Sequence, residues 1–594
     1  MKKLDVLEFS FTKSFIFFKR SKALPKKKLL LLLKKITQES GSTLIFRPAI
    51  RHGVLLSAKT GEMGNVSLLV GQSKRSPSFS NGALHENLIS YFLLFESCDY
   101  CAIQLRHISV ADIESFYAYY TKLSYAQVTS VLDDAAKVLK ITARIINPAQ
   151  QGVTGRGYEG TDLNGEMPSY GNGRSIPRNL KAKNGTEIVS ITSGAARITT
   201  YGQSVGIPEI ASWFATYCDV LSMGLRSKFI QRFASPVVFS DEIGKITPTL
   251  IVFDSLSFRH LINEEELVIK RCYKRKKAKA TPEMVENILA TLENSRRIKV
   301  YKFNSGHLKL LSNSIQVNLP SLENYVINDG KNDIKISTYI NRKDLYSIYF
   351  NSPEHIYLSG TIFRDKSAIS EIDSVISCLE EITDLSGADR EKLLLSKKDT
   401  TDTSNWDFFP VSSVFGIVES HISSDDYIFC DDLGDEWADH ISFNSKTKTL
   451  AFHHSKYSND EGTGASKLHD IVAQALKNMG HVICSPIAME NKIDGYNIPY
   501  PNSKISRIRK RPAGEIDDVA TKIAIGRIMR SNDLNRTVAI YCSFLSKKKL
   551  NDGLLKLKNG DRVKPHFNQV LWLLSFFISA SKEINVRPVI YCQP

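Results

Sequence analysis

The spacing of apolar and polar residues divides the chain into stretches of different character. Between residues 40 and 146, TLIFRPAI, GVLLSAK and VSLLVG are β-rich runs punctuated by glycine. HENLISYFLLFES, ADIESFYAYYTKLS and AQVTSVLDDAAKVLK carry apolar residues at helical spacing, and in the last two an Asp or Ser stands ahead of the run as an N-cap. Residues 147–187 are dominated by Gly, Asn, Pro and Ser and predict a long loop or linker. From 188 to 400 the pattern is mixed again. EIVSITSGAARITTYG predicts two strands around a Ser-Gly turn, IPEIASWFATYCDVL a helix with Pro208 in its first turn, and TPTLIVFDSLSF a strand.

The polar stretch SKKDTTDTSNWD marks a boundary at about 400–410. Beyond it SSVFGIVESHI reads as a short helix or strand, DYIFC as a strand, and EWADHISFNSKTKTLAFHHSKYS as two strands around a polar break. KLHDIVAQALKNMG then predicts a helix, HVICSPIA a strand, GEIDDVATKIAIGRIMR a helix, TVAIYCSFL a strand, PHFNQVLWLLSFFISASKEI a helix and RPVIYC a final strand. Such alternation predicts an α/β domain over 411–594, a mixed sheet flanked by helices, preceded by an α+β region over 1–146, the 147–187 linker and a mixed α/β region over 188–400.

Composition adds the class of partner. Of 594 residues, 42% are hydrophobic and 24% charged, as in ordinary globular proteins, but 78 Lys and Arg against 62 Asp and Glu leave a net charge of +16. That balance favours polyanions, nucleic acid first. Seven of the ten residues Lys270–Lys279 are basic, including Lys270, Arg271, Lys274, Arg275, Lys276 and Lys277. A second cluster, KISRIRKRP, contains Arg507, Arg509, Lys510 and Arg511. Side chains of this kind would contact phosphates without reading bases.

Other signals point away from particular classes. Asp5 and Glu8 interrupt what would be the apolar part of a secretory signal, and LLLLL at 29–33 is far too short to span a bilayer, so a soluble cytoplasmic protein without membrane association is expected. The nine cysteines have no framework spacing, and CDYC at 98–101 reads as two half-buried thiols at a turn. The GxGxxG at Gly155–Gly160 is followed by TDLNGEMPSYGNG, which makes a poor helix, so it is not a dinucleotide loop.

The candidate chemistry lies in Glu436–Ser458. If the turn centres on Lys446 and Thr447, Phe443 faces Leu450, Ile441 faces Phe452, and Asp439 faces His454. Strand alternation then puts Asp439, His454 and Lys456 on one face, with opposed Cβ atoms about 5 Å apart, close enough to share a metal ion. Five acids crowd Asp431–Asp439 in an otherwise basic chain. Clustered carboxylates need solvation or a cation, and hard divalent ions are held by one or two carboxylates plus phosphate and water. His440 and His453 lie nearby, but no cysteine pair completes a zinc site.

DEWADHI, then HHSKYS, then a helix containing VAQALK, resembles the restriction-endonuclease-like PD-(D/E)XK nuclease superfamily, and in particular nuclease modules of bacterial anti-phage defence proteins. The resemblance covers about residues 411–594. It implies a restriction-endonuclease-like fold in which Asp439 and His454, with Glu436 as an auxiliary acid, hold Mg²⁺ or Mn²⁺. It further implies Lys456 as the catalytic lysine and Gln474 as the glutamine found in one subgroup. His454 departs from the pattern, since an acid is usual there, and imidazole leans towards Mn²⁺. The activity implied is hydrolysis of nucleic acid, DNA favoured, in defence against phage or plasmids, with a partner subunit such as a helicase or ATPase. The alternative is a non-catalytic nucleic-acid-binding or assembly subunit on an inactivated nuclease fold.

Overall fold

The computed structural model describes residues 5–594 except 40, 58–60, 76–82, 109–115, 118, 147–154, 169–171, 225–226, 265–266, 274–275, 295–297, 300–301, 305, 329–332, 353, 397, 460–464, 514–516, 560 and 562. The chain divides into two compact units, Met1–Asn164 with Arg174–Lys366, and Gly165–Gly173 with Ser367–Pro594. The division therefore falls at 366/367 rather than in the polar stretch at 400–410.

In the first unit a twelve-stranded antiparallel sheet is built, among the described residues, from strands on both sides of the Gly-rich stretch. This is why 1–146 and 188–366 do not separate. LISYFLLFE, expected to be helical, is the strand Glu86–Glu96, paired along its whole length with Glu62–Arg75. Phe92, Leu93, Leu94 and Phe95 are all buried, so both faces of the strand are covered. A run apolar on every position does not distinguish strand from helix by period. AQVTSVLDDAAKVLK splits into a short helix, Tyr125–Thr129, capped by Ser124 and Gln127, and a strand, Lys137–Ile145. Of ADIESFYAYYTKLS, residues 111–115 and 118 lie outside the described residues, and Tyr120–Lys122 is a strand.

The expected linker is also partly sheet. Gly155–Glu159 pairs with Lys137–Ile145, and Ser175–Asn184 pairs with the same strand on its other side. The open ladder of a neighbouring strand supplies what local propensity lacks. The GxGxxG thus begins in an edge strand. CDYC closes the hairpin between Glu86–Glu96 and Tyr100–Arg106, with Cys98 exposed and Cys101 buried. The helix Ile207–Met223 forms as expected, with Pro in its first turn and Gly224 in the left-handed conformation at its end.

The second unit is a seven-stranded mixed sheet between helices. Its elements in chain order are α1 (Ser367–Ser377), β1 (Leu379–Glu381), α2 (Val414–His421), β2 (Tyr427–Cys430), β3 (His440–Asn444), β4 (Thr449–Lys456), α3 (Ala465–Asn478), α4 (Pro486–Ile493), β5 (Ile508–Lys510), α5 (Asp518–Met529), β6 (Asn535–Ser546), α6 (Lys547–Lys558), α7 (His566–Glu583) and β7 (Arg587–Gln593). The strand order is β1-β7-β6-β4-β3-β2-β5, parallel from β1 to β4 and antiparallel from β4 to β5.

One face buries Ile441, Phe443, Leu450 and Phe452 against α3 and α7, through Leu468, Ile471, Leu574 and Phe577. The other buries Ile428, Ala539, Tyr541 and Val589 against α2, through Val414, Ile417 and Val418. The chain is thus mixed α/β with helices on both sides of this sheet. HVICSPIA is not a strand: Met479–Ile483 is a 3-10 turn, and Ser485 caps α4 by accepting from Ala488 N. Ser-Pro is a helix-start signal that outweighed the apolar run. Among the described residues no helix is long and apolar enough to cross a membrane.

Candidate metal centre

The hairpin β3–β4 has the predicted register: Ile441 pairs with Phe452 and Phe443 with Leu450. The ladder ends at His440–His453, and Asp439 N still donates to His453 O at 3.0 Å. Asp439 stands where β3 begins, its carboxylate accepting from Ser455 N at 2.7 Å. It is 2% exposed. Burial pushes its pKa up to about 8, with Lys392 opposing only in part.

The loop 431–439 that precedes β3 is tied at its base by Asp431 N to Asp439 O at 2.9 Å. The buried Asp431 carboxylate accepts from Trp437 N at 2.7 Å and from Tyr496 OH at 3.0 Å, and pairs with Lys492 Nζ at 3.0 Å. Lys492 also donates to Asp435 O at 2.8 Å and lies over the Trp437 ring. Asp431 is therefore an internal anchor for the loop. Burial raises its pKa to about 6, opposed first by Lys492.

With the loop so fixed, Asp432, Glu436 and Asp439 each bring a carboxylate oxygen within 4.8 Å of the other two. Gln474 on α3 donates to Glu436 Oε1 at 3.0 Å. Asp432 accepts from Lys392 Nζ and from Tyr500 OH, each at 2.7 Å. Burial opposes ionisation of Asp432, but Lys392 and Tyr500 outweigh it and hold its pKa below the usual range. The donor set is all oxygen and triply acidic, with Lys392 as its direct counter-ion. These features fit a hard divalent cation.

Two expectations change here. His454 is not a member of the acidic group; Asp432 is. The imidazole is 1% exposed, and burial, with Lys477 adding to it, drives its pKa down to about 3, so the ring is neutral. The Asp439 carboxylate accepts from the Ser455 amide and faces Asp432 and Glu436, so opposition in register does not make Asp439 and His454 a shared ligand pair. Lys456, at the end of β4, is half-buried and pairs with Glu391 Oε2 at 3.5 Å rather than with the acids. Glu391 is close enough to contribute to the raised pKa of Asp439.

Glu391, Lys392, Asp432 and Tyr500 were not singled out from sequence. Glu391 and Lys392 lie in an irregular segment pinned to the start of α2, where Val414 N donates to Arg390 O and Phe415 N to Glu391 O. No periodicity marks such a segment. Asp432 was visible within the acidic run, but nothing in the pattern ranked it above its neighbours.

The basic clusters fare differently from each other. Arg507 is buried, donating to Asp432 O at 2.9 Å; Arg509 is spent on Glu419 at 2.6 Å; Lys510 donates to Ser423 O and Asp425 O at 2.6 Å; Arg511 pairs with Asp518 at 3.6 Å. These four hold β5 and its surroundings in place, so they offer few donors to a phosphate. Lys270, Arg271, Lys276 and Lys277 lie on a hairpin of Val268–Tyr273 with Lys276–Lys279. Asp333 binds Lys270 at 3.0 Å and Lys277 at 2.9 Å, while Arg271 and Lys276 are exposed. Lys274 and Arg275 lie outside the described residues.

No family model, curated protein or solved structure matches the chain.

Proposed function

We propose that the second unit is a metal-dependent nuclease that hydrolyses phosphodiester bonds, with Mg²⁺ or Mn²⁺ held by Asp432, Glu436 and Asp439. The observation that carries this reading is the acidic trio at the start of β3, beside the strand that presents Lys456 and under the helix that presents Gln474. A bound divalent ion would acidify its water and neutralise charge on the phosphate. The chain's own residues do the rest. Asp431 and Ser455 N fix the loop and the Asp439 carboxylate before any ion arrives. Gln474 is a positioning residue that sets the Glu436 side chain. Lys456 supplies a cation to a phosphate oxygen or to the attacking water, with Glu391 holding it in reserve. Nucleic acid, DNA first, is the substrate to test, with the exposed Arg271 and Lys276 as phosphate contacts and an ATPase or helicase as the kind of partner to seek.

Purified protein incubated with supercoiled plasmid and either Mg²⁺ or Mn²⁺ is expected to nick or linearise it. Lys456→Ala is expected to slow cleavage roughly 100-fold or more, and Gln474→Ala roughly 10-fold, mainly by weakening metal affinity. Absence of cleavage in both metals, or cleavage unaffected by Lys456→Ala, would sink the nuclease reading.

A further inference from the structure

The first unit holds a cavity apart from the acidic trio. The cavity, of about 280 Å³, is lined by the polar Lys122, Arg178, Ser359 and Asp344 and by the apolar Leu123 and Phe363, among others. Arg178 enters it from a β-bulge: the register of Ser175–Asn184 on Lys137–Ile145 skips from Pro177 to Asn179. Bulges re-aim a side chain and gather near functional sites. Among the described residues the Arg178 guanidinium makes no ion pair, and its Nη1 has no hydrogen-bond partner although it is shielded from solvent. Burial and the neighbouring Arg144 both pull its pKa down, while Asp344 and Asp254 act more weakly the other way. A desolvated cation with no partner is costly, which makes it a rare feature unless an anion completes it.

The surroundings are arranged for such an anion. Ser359 and Gly360 occupy the turn between His355–Leu358 and Thr361–Arg364, both in the left-handed conformation, with φ of 48° and 79°. Serine is strained there, and its Oγ is buried without a partner. Asp344 is also left-handed, with φ of 52°. Gly194 keeps the space between Ser359 and Arg178 open. A Cβ at that position would sit 3.4 Å from Ser359 Oγ and 3.6 Å from Arg178 Nη2, where a ligand oxygen would go. Lys122 also lines the cavity and brings a second positive charge; the buried Asp344 carboxyl is the acid that faces both cations, and burial raises its pKa against their pull.

We infer that this cavity binds a phosphate group, free or carried on a body no larger than a nucleoside monophosphate, on Arg178, Lys122 and Ser359. The apolar wall takes the uncharged body of the ligand. Asp344 accepts from its hydroxyl groups and disfavours a longer polyphosphate.

The test is calorimetric titration of the full chain with inorganic phosphate, ribose 5-phosphate and AMP, with adenosine as the uncharged control. Saturable binding of the phosphorylated probes, and none of adenosine, is expected. AMP tighter than inorganic phosphate assigns a nucleotide; equal affinity assigns free phosphate. Arg178→Met is expected to weaken binding at least about tenfold without lowering the thermal midpoint, because the unpaired cation is removed along with the site. Ser359→Gly, which relieves the turn, is expected to keep the fold and weaken binding by a smaller factor. No binding of any phosphorylated probe, equal binding of adenosine, or affinity unchanged in both variants would overturn the inference.

Discussion

Asp439→Asn is expected to abolish metal-dependent cleavage, by roughly a thousandfold or more, and at the same time to stabilise the metal-free protein at pH 8. The two effects share one cause. Asp439 is a fully buried carboxyl whose neighbours do not repay its desolvation, so it holds its proton up to about pH 8 in the folded chain, against an ordinary value of 3.8. Between those values the folded state binds more protons than the unfolded state. Stability contributed by the protonated acid is therefore complete below about pH 4 and is lost progressively as pH rises towards 8. Asparagine keeps the acceptor for Ser455 N and never ionises, so the loss disappears. The variant should gain on the order of 5 kcal/mol over the parent at pH 8 and nearly nothing at pH 4. Thermal unfolding across that range, without and with Mg²⁺, reads it out. Metal should raise the midpoint of the parent and not of the variant. A variant less stable than its parent at pH 8 without metal would show that Asp439 is satisfied by the protein alone.

The second large effect concerns stability. Lys492→Met is expected to cost about 3–5 kcal/mol, the range for removing one member of a buried ion pair. Lys492 and Asp431 are 8% and 0% exposed, and the lysine also holds the Asp435 carbonyl and covers Trp437. Losing it leaves Asp431 with hydrogen bonds but no counter-charge, inside the loop that sets Glu436 and Asp439. The double variant Asp431→Asn/Lys492→Met should recover much of the loss, because the amide oxygen still accepts from Trp437 N while its NH2 donates to the Tyr496 hydroxyl oxygen, with no charge left to be matched. Urea titration of the single and double variants distinguishes this from simple loss of packing, which the second substitution would not repair. If the double variant were no more stable than Lys492→Met, the charge would not be the cause.

How far the sequence could be read depended on where each residue's partner lies. The β3–β4 hairpin was legible because register follows from alternation and a short polar turn, both local. The helix α3 shows its period directly, whereas α5 leaves Val519 and Ile523 exposed and shows little. Glu86–Glu96 was not legible as a strand, because burial on both faces erases the alternation that distinguishes strand from helix. In the candidate site, Asp439, Glu436 and Gln474 come together through a hairpin and the helix after it. Lys392 and Glu391 reach the same place from an irregular segment some forty residues earlier, and sequence spacing carries no trace of that. His454 shows the opposite failure: its position in register was right, and its role did not follow, because the acids that gather around Asp439 come from the preceding loop.

The two short elements before residue 411 bear on how this domain can be isolated. α1 contributes Ile372 and Val375 to the main core, and β1 covers the outer edge of β7 through Leu379–Glu381. A fragment begun at 411 would strip that edge bare, leaving a parallel strand with free amides and carbonyls next to an opened apolar face. Such an edge invites pairing with another copy. It would also discard Glu391 and Lys392, so the fragment would lose its solubility and its lysine–acid contacts in one cut, and an inactive aggregate would say nothing about the chemistry of the intact unit. Cutting ahead of Ser367 avoids both losses.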